Sequence, residues 1–433
     1  MNYQEFLDYI YRRHSGNVKL GLDRMLNILS EIGSPNEKLD GIHIAGTNGK
    51  GSTAAICESL LLNQGYTTGL NTSPHLVDYR ERIRINGKNI ELNALMDTYH
   101  NLSDIFEKYE ASFFEITTAM AFYHFLKKRI DSAIFEVGLG GRLDGTNPFQ
   151  ADVSVITTIS FDHPKSLGNS VEQIAAEKAG ILKESQPVVL GKINDSPLNV
   201  IKNIAKEKNC HLYILNRDFF FEIITNNENG LMFNYNFPEF NVRLRNLRLN
   251  LLGEHQAINA SIALTAFFIY LKKMGRKFAE QKIYEALTKV NWMGRMQKLH
   301  SRPSVFIDGA HNEEGVKSLI KNVKNIFDLN KRITFIVAIL RDKKLEIMLN
   351  DICSVANRVV ITKNDSKRAA EINDQVNVVK AHNLEYEVAE DIESAVKGEF
   401  ISASNDDIII ITGSLYTISS VLAFKDKIFH NRC

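Results

Sequence analysis

Short apolar runs alternate with longer mixed segments through the first 210 residues of the chain. Each run spans four to seven residues, which is the length of a buried strand. The predicted strands are Gly41–Ala45, Thr68–Asn71, Ala133–Val137, Val153–Ile159 and Pro187–Leu190. Helical patterns lie between them at residues 52–64, 112–129 and 171–183. This alternation predicts βαβ units and a largely parallel sheet, whose ligands gather at the carboxyl ends of the strands.

In the second half of the chain, the alternation of apolar runs and helical patterns resumes after a region of different composition. Residues 211–250, rich in aromatic and asparagine side chains, predict a hairpin-rich insertion, and residues 255–273 predict a long helix. Four further strand candidates are Val305–Ile307, Ile333–Ile339, Val359–Ile361 and Ile408–Ile411. We therefore predict two α/β domains, residues 1–296 and residues 297–433.

The N-terminal residues 3–32 predict one or two helices. Leu20, Leu22, Met25, Leu26 and Leu29 form an apolar stripe of roughly helical spacing. Residues 1–5 have neither a basic segment nor an apolar core, so no signal peptide is expected.

Length and charge narrow the class of protein. A chain of 433 residues exceeds what one hydrophobic core usually serves. The net charge of +1 gives no general attraction to nucleic acid or membrane, so any anion site must be local. Apolar runs stay below the ~18 residues of a transmembrane helix. The cysteines are far apart, which favours a reducing cytoplasm over a disulfide framework or a zinc site. They are Cys57, Cys210, Cys353 and Cys433.

The stretch of residues 41–53 predicts a phosphate-binding loop. An apolar strand leads into Gly46-Thr47-Asn48-Gly49-Lys50-Gly51-Ser52, and a helical pattern follows. Glycines let backbone N–H groups approach phosphate oxygens, a lysine adds positive charge, and a hydroxyl behind it suits Mg²⁺. Gly51 stands between Lys50 and Ser52, where the Walker A motif has no residue, so the loop is a variant phosphate-binding loop. An ordinary strand–helix turn is the alternative.

Polar groups follow other predicted strands. Ser73 comes after the second strand, Glu136 lies near the end of the third, and His163 follows the fourth. A carboxylate at the end of an apolar strand needs a positive partner, either Mg²⁺ or a basic side chain. His163 alone is as consistent with a structural histidine. The glycines of residues 138–144 do not fit the GxGxxG spacing, which makes NAD a weak candidate.

Three later segments carry weaker signals. Lys178 lies in a helical pattern beside Glu177, where a solvated lysine is the simplest interpretation. Residues 308–312, Asp-Gly-Ala-His-Asn, follow an apolar strand and suit a ligand site, although a helix cap explains part of the pattern. Residues 412–416, Thr-Gly-Ser-Leu-Tyr, repeat the strand–glycine–serine–helix theme.

Together these stretches resemble the Mur ligase superfamily and, within it, the folylpolyglutamate synthase/dihydrofolate synthase family. The resemblance spreads over nearly the whole chain. Besides the loop at 45–52, the matching segments are 72–76, 80–83, 114–115, 136–144, 162–163, 177–181, 255–260, 294–295 and 308–312. The segment Ser73-Pro74-His75-Leu76, with Arg80-Glu81-Arg82, separates this family from the peptidoglycan ligases.

The resemblance implies a P-loop domain with a mostly parallel sheet, like the central domain of Mur ligases, followed by a smaller Rossmann-like α/β domain. It implies an ATP-dependent amide ligase whose substrates are dihydropteroate or folates and L-glutamate. In such a ligase the acceptor carboxylate takes the γ-phosphate of ATP, and the glutamate amine attacks the acyl phosphate. A cytoplasmic monomer without nucleic-acid or membrane partners is implied as well.

The resemblance also implies roles for individual residues. Lys50, His163, Lys178 and His311 would act in catalysis. Two Mg²⁺ sites would be held by Ser73, Glu136, His163 and Lys178, the last as a carbamate. The residues expected to bind ATP are Gly46, Thr47, Asn48, Gly49, Lys50, Gly51, Ser52, Asn259, Arg295 and Asp308. Those expected to bind the other substrates are Ser112, Leu143, Asp144, Gly145, His311 and Ser414, with Asp342 and Lys343 as further candidates for glutamate.

The motifs leave two questions open. They do not separate an enzyme with both synthase activities from one that only adds glutamate to folates. A P-loop phosphotransferase or nucleotide-driven switch explains residues 41–53 as well, but it leaves residues 308–312 and Lys178 without a role.

Overall fold

The computed structural model describes residues 1–13 and 21–429. Leu20 and Cys433 lie outside the described residues. The helices are α1 (Tyr3–Arg12), α2 (Asp23–Glu31), α3 (Pro35–Lys38), α4 (Lys50–Gln64), α5 (Leu92–Lys108), α6 (Phe113–Lys128), α7 (Pro164–Leu167), α8 (Val171–Ala179), α9 (Asp195–Glu207), α10 (Glu254–Lys273), α11 (Glu280–Lys289), α12 (Glu313–Ile326), α13 (Leu345–Cys353), α14 (Ile372–Ala381), α15 (Ile392–Ser402) and α16 (Leu415–Phe429).

Strands alternate with these helices along most of the chain. They are β1 (Gly41–Ala45), β2 (Thr68–Asn71), β3 (Ile83–Ile85), β4 (Lys88–Asn89), β5 (Ser132–Glu136), β6 (Val153–Thr158), β7 (Pro187–Lys192), β8 (His211–Ile214), β9 (Phe220–Asn227), β10 (Gly230–Phe237), β11 (Val242–Leu249), β12 (Gln297–Ser301), β13 (Ser304–Ile307), β14 (Ile333–Val337), β15 (Arg358–Ile361), β16 (Glu385–Val388) and β17 (Ile408–Thr412).

The chain forms two compact units. The first comprises residues 1–222, 233–248 and 256–290, and the second comprises residues 223–232, 249–255 and 291–433. Of the helices in the described residues, none has the length and apolar character that spanning a lipid bilayer requires.

An eight-stranded sheet organises the first unit. Its order is β4-β3-β2-β5-β1-β6-β7-β8. The six strands from β2 to β8 in that order run parallel, whereas β3 and β4 form an antiparallel edge. Strand β1 lies in the middle and is buried at every position, as its continuous apolar run predicts.

Aromatic side chains fill the core on one face of this sheet. Phe135 of β5 stacks on Phe122 of α6, with 4.1 Å between the ring centroids, and lies 4.9 Å from the ring of Phe149. All three side chains are fully buried. Helix α6 begins with a capping box in which Ser112 and Glu115 satisfy each other's backbone N–H groups.

A six-stranded sheet organises the second unit, in the order β12-β13-β17-β14-β15-β16. Strands β13 to β16 in that order are parallel, and β12 pairs antiparallel with β13. Separately, β11, β10 and β9 form a three-stranded sheet.

The predicted α/β fold class is confirmed, and every predicted strand is present within two residues of its predicted ends. Several elements were not predicted, among them strands β3, β4, β12 and β16, none of which is a continuous apolar run. Strand β16 is exposed along its whole length, and β8 joins the main parallel sheet although its residues were assigned to the hairpin-rich insertion. The predicted domain boundary at residue 296 stays a prediction.

We expect Phe135→Ala to lower the free energy of unfolding by about 3–5 kcal/mol. The substitution leaves a cavity between the buried rings of Phe122 and Phe149, which cannot move enough to fill it. Phe220→Ala is the matched control, since Phe220 is 37% exposed. Urea unfolding followed by far-UV circular dichroism measures both. Equal midpoints for the two variants would contradict the assigned core.

Candidate active site

A glycine-rich loop joins β1 to α4 at the centre of the first sheet. Gly46 and Gly49 have positive φ angles of 147° and 87°. A Cβ at Gly46 would lie 1.9 Å from Thr157 Oγ1, and one at Gly49 would lie 2.4 Å from Asn259 Oδ1. Only glycine therefore permits this close packing. Helix α4 starts at Lys50, so its first N–H groups and positive dipole end lie at the loop, as a phosphate site requires.

The loop is anchored to the end of β6. The Thr47 N–H donates to the Thr158 carbonyl at 2.9 Å, and the Asn48 N–H donates to Thr158 Oγ1 at 3.0 Å. Thr157 Oγ1 in turn donates to the Asn48 carbonyl at 2.6 Å. The loop is thus held in place by β6, while Gly51 and Ser52 are buried in the first turn of α4.

Two lysines converge on one carbonyl of this loop. Lys50 Nζ and Lys178 Nζ each donate to the Gly46 carbonyl at 3.0 Å. Lys178 is 4% exposed, so the interpretation as a solvated lysine is wrong. Burial, and then the charge of Lys50, lower the pKa of Lys178 to about 7, while Asp162 and Asp144 act in the opposite direction. Near neutral pH a substantial fraction of the Lys178 amine is therefore unprotonated and available as a base or nucleophile.

Ser73 and Glu136 meet at the ends of β2 and β5. The Ser73 N–H donates to Glu136 Oε2 at 3.2 Å, and the Glu136 side chain is 5% exposed. A buried carboxylate beside a serine offers oxygen ligands of the kind that Mg²⁺ prefers.

His163 follows β6 and directly precedes α7. Its φ angle of 50° places it in the left-handed region, and its Nε2 lies 3.7 Å from Asp162 Oδ2. Because β2, β5, β1 and β6 are parallel neighbours in that order, Ser73, Glu136, the loop and His163 follow successive strands at one edge of the sheet. The predicted grouping at this edge is confirmed.

Asp144 uses its carboxylate to fold the segment 138–146. Oδ2 accepts from the Leu139 N–H at 2.8 Å, and Oδ1 accepts from the N–H and hydroxyl of Thr146 at 3.0 and 2.5 Å. Burial raises the pKa of Asp144, and these hydrogen bonds counteract that rise. Asp144 thus shapes the segment that also carries Leu143 and Gly145.

A buried histidine of β1 extends this network. His43 Nε2 lies 2.8 Å from Thr146 Oγ1, whose single proton is donated to Asp144. His43 Nε2 must therefore carry the proton and donate it to Thr146. Burial lowers the pKa of His43 to about 3, so the ring is neutral. Sequence analysis missed His43; the signal was a polar residue inside an otherwise apolar buried strand.

Segment 138–147 is held by hydrogen bonds and an ion pair to α8, the helix that carries Lys178, and to Gly180 directly after it. The Arg142 N–H donates to the Glu177 carbonyl at 2.7 Å, and the Arg142 guanidinium pairs with the Glu177 carboxylate at 2.8 Å. Asn147 Nδ2 donates to the Gly180 carbonyl at 3.2 Å. The positions of Asp144 and Lys178 are therefore coupled through backbone and side-chain contacts.

Ser112 lies at the N-terminus of α6. Its hydroxyl donates to Glu115 Oε2 at 2.7 Å, and Glu115 is paired with Arg24 at 3.1 Å. Phe114 lies beside segment 138–146, because a Cβ at Gly145 would be 3.2 Å from its ring. Ser112 and Gly145 are thus linked through α6.

Asn259 reaches the glycine-rich loop from α10. Its Nδ2 donates to Gln256 Oε1 at 3.0 Å, which directs Oδ1 toward Gly49. Both side chains are at least 97% buried. Gln256, one helical turn before Asn259, belongs to the matching segment 255–260, but the sequence analysis gave it no role.

In the second unit, Asp308 follows β13 and lies near Arg295. Asp308 accepts from the backbone N–H groups of Met296 and Ala310 at 2.8 and 2.9 Å. Burial raises the pKa of Asp308, and the charge of Arg295 lowers it. A Cβ at Gly309 would lie 2.5 Å from Arg295 Nη1, so the guanidinium packs on the segment after β13.

His311 and Ser414 follow β13 and β17, which are adjacent parallel strands. His311 Nδ1 donates to the Gly309 carbonyl at 2.8 Å. Ser414 is fully buried and hydrogen-bonded to Asn364 and Thr417 at 3.1 and 2.7 Å, so its hydroxyl serves the local structure. Asn312 caps α12, which confirms the alternative of a helix cap for that residue. Farther along, Asp342 pairs with Arg368.

We expect Thr146→Val to lower the free energy of unfolding by about 1–3 kcal/mol, because it leaves the buried N–H of His43 and one oxygen of Asp144 without the hydroxyl. Thr118→Val is a matched control: Thr118 is also fully buried, but its hydroxyl has no hydrogen-bond partner in the described residues. Chemical denaturation compares the two. A cost for Thr118→Val as large as that for Thr146→Val would contradict the network.

Comparisons with known proteins agree with this geometry. Residues 44–267 match the Mur ligase middle domain, and residues 294–415 match the Mur ligase glutamate ligase domain. The chain is 35% identical to dihydrofolate synthase/folylpolyglutamate synthase of Bacillus subtilis, over 97% of this chain and 98% of that protein.

Solved structures give the same result. The crystal structure of folylpolyglutamate synthase from Thermotoga maritima matches 98% of this chain and 96% of its own, with 34% identity and a TM-score of 0.85. Escherichia coli FolC in complex with DHPP and ADP matches 99% and 98%, with 28% identity and a TM-score of 0.89. The phosphate loop, the grouping at the sheet edge and these matches together establish that the chain belongs to the dihydrofolate synthase/folylpolyglutamate synthase family of ATP-dependent Mur ligases.

Proposed function

We propose that this protein joins L-glutamate to dihydropteroate and to folates, and so has both dihydrofolate synthase and folylpolyglutamate synthase activities. The observation that carries the proposal is the phosphate loop with two converging lysines, flanked at one sheet edge by Ser73, Glu136 and His163. A site of this kind favours phosphoryl transfer to a carboxylate, which needs positioning and charge neutralisation more than covalent chemistry.

In this proposal the loop and the start of α4 hold the ATP phosphates. Lys50 supplies positive charge next to N–H groups of Gly49, Gly51 and Ser52. Asn259 lies over the loop. We also assign nucleotide-binding roles to Arg295 and Asp308.

We propose Mg²⁺ sites at Ser73 and Glu136 and at His163 and Lys178. When bound, the metal neutralises phosphate charge. The described residues contain no group of three or more His, Cys, Asp or Glu side chains arranged for a metal. Ser73 and Glu136 still fit Mg²⁺, which keeps several waters and is commonly held by one or two carboxylates plus phosphate oxygens. The buried Glu136 oxygen beside Ser73 supports this assignment.

Lys178 is proposed to act as a carbamate. An unprotonated amine attacks CO₂, the new N–C bond forms, and one proton is released to solvent. The lowered pKa of Lys178 supports this step, because an ordinary lysine amine is protonated near neutral pH. The resulting anion would lie close to Lys50, whose positive charge favours it.

The other substrates follow from the remaining residues. We assign the pteroate portion to Ser112, Leu143 and Gly145, with Asp144 shaping the segment that contacts it. We assign glutamate binding to His311, Asp342 and Lys343; Ser414 contributes by holding Asn364 and Thr417 in place. The three free cysteines in the described residues, Cys57, Cys210 and Cys353, support a reducing cytoplasm, where we propose a monomer.

The decisive experiment measures ADP release with glutamate plus dihydropteroate, and separately with glutamate plus tetrahydrofolate, while mass spectrometry follows the products. We expect both acceptors to stimulate release and to gain one glutamate. We expect Lys50→Ala to reduce turnover by about 10²–10³-fold through loss of charge at the transferred phosphate.

The other outcomes have distinct meanings. Stimulation by tetrahydrofolate alone would indicate a folylpolyglutamate synthase without the second activity. ADP release with no glutamate-extended product would indicate a phosphotransferase or a switch. Absence of stimulation by either acceptor would refute the proposal.

The carbamate is tested separately with ¹³C-labelled bicarbonate. We expect a carbamate ¹³C NMR signal at pH 8 that weakens as the pH falls below about 7, where the amine becomes protonated. The signal should be absent in Lys178→Met and retained in Lys202→Met, which changes an exposed lysine of α9. A Lys178→Met spectrum identical to that of the wild type would rule the carbamate out at this position.

A further inference from the structure

Arg82 is a buried cation that none of the roles above uses. It is the last residue of a short 3₁₀ helix (Tyr79–Arg82), directly before β3, and is 7% exposed. Its carbonyl accepts from Asn71 Nδ2 at 2.8 Å and from the Thr72 N–H at 3.3 Å, which ties it to the residues just before Ser73. Burying a guanidinium is costly unless an anion compensates for its charge.

The contacts of Arg82 are with neutral groups. Its Nε donates to His75 Nδ1 at 2.7 Å, and its guanidinium carbon lies 4.9 Å from the centroid of the Phe113 ring. Because His75 Nδ1 accepts this bond, its ring proton is on Nε2, 3.2 Å from the Tyr11 hydroxyl. His75 thus orients the guanidinium, and its ring is neutral because Nδ1 accepts a hydrogen bond.

The nearby carboxylates do not pair with Arg82. Glu81 accepts from three backbone N–H groups, those of residues 76, 77 and 78. Asp78 is paired with Arg80. Glu136 is close enough for its charge to raise the pKa of Arg82, but its Oε2 accepts from Ser73. Among the described residues, the two Nη groups of Arg82 have no hydrogen-bond acceptor and no carboxylate within ion-pair distance.

We propose that Arg82 binds the carboxylate of the acceptor substrate and retains it as the acyl phosphate forms. This inference rests on the proposed function. An oriented guanidinium presents paired N–H donors that match a carboxylate, and the Ser73–Glu136 pair lies where the phosphate would be transferred. In this role Arg82 is a catalytic residue that contacts the substrate carboxylate. Its positive charge offsets the negative charge of the carboxylate, and it donates no proton in the reaction.

The chemistry is balanced without a further reactant. One oxygen of the carboxylate held by Arg82 bonds to the γ-phosphorus of ATP, and the bond from that phosphorus to the ADP oxygen breaks. The glutamate nitrogen then bonds to the acyl carbon, the bond from that carbon to the phosphate oxygen breaks, and the amine loses a proton. Positive charge at the carboxylate keeps the attacking oxygen in place during the first step.

The test compares dihydropteroate with its carboxamide analogue, which has the same rings but no negative charge. Dissociation constants are measured by calorimetry for the wild type and for Arg82→Met. We expect the wild type to prefer the acid, and Arg82→Met to bind the acid about 10–100-fold more weakly while binding the amide within about threefold of the wild type. The KM for ATP should stay within about threefold.

Two further variants serve as controls for this interpretation. Arg80→Met removes an arginine two residues away that is already paired with Asp78, and it should keep the acid preference. Arg82→Lys keeps the charge but not the paired N–H geometry, and it should reduce the preference by about tenfold, even if Arg82→Met fails to fold.

A purely structural role for Arg82 predicts equal weakening of acid and amide. That result, or an unchanged acid preference in Arg82→Met or Arg82→Lys, would overturn the inference. Failure of the wild type to use any folate acceptor would instead refute the proposed function, so the two failures are distinguishable.

Discussion

The parallel pairing of β5 and β6 on either side of β1 is the constraint on which the site depends. Ile44 is in register with Glu136 in one neighbour and with Val155 in the other. This register brings segments about a hundred residues apart to a common edge. Backbone hydrogen bonds of β1 alone determine that Glu136, the phosphate loop and the segment leading to His163 end side by side.

Among the described residues, three basic groups near this edge form no ion pair with a carboxylate. Lys50 and Lys178 both donate to one carbonyl, and Arg82 is stacked on an aromatic ring and bonded to a neutral histidine. In water such groups would be solvated; here burial raises the cost of their charge. In the proposed function, phosphate and carboxylate ligands would offset that cost, so that basic groups can be concentrated in a chain whose net charge is only +1.

Several site residues act through others. Asp144 folds the segment 138–146 through N–H groups and Thr146, and Ser414 is bound to Asn364 and Thr417. Motif spelling identified both residues as important, but it could not tell a side chain that contacts a ligand from one that shapes a loop. Only the hydrogen-bond partners make that distinction, because the way the chain folds decides which groups a side chain meets, even among residues close in sequence.

The sequence by itself determined the α/β class, the central strands of both large sheets and the glycine-rich loop, because apolar runs of strand length and glycines at a strand–helix turn are local signals. It also placed Ser73, Glu136 and His163 at strand ends. The burial of Lys178, the neutral state of His43 and His75 and the unpaired charge of Arg82 were decided only by the tertiary structure. Each depends on which groups from other elements surround a side chain, and spacing along one chain carries no information about those neighbours.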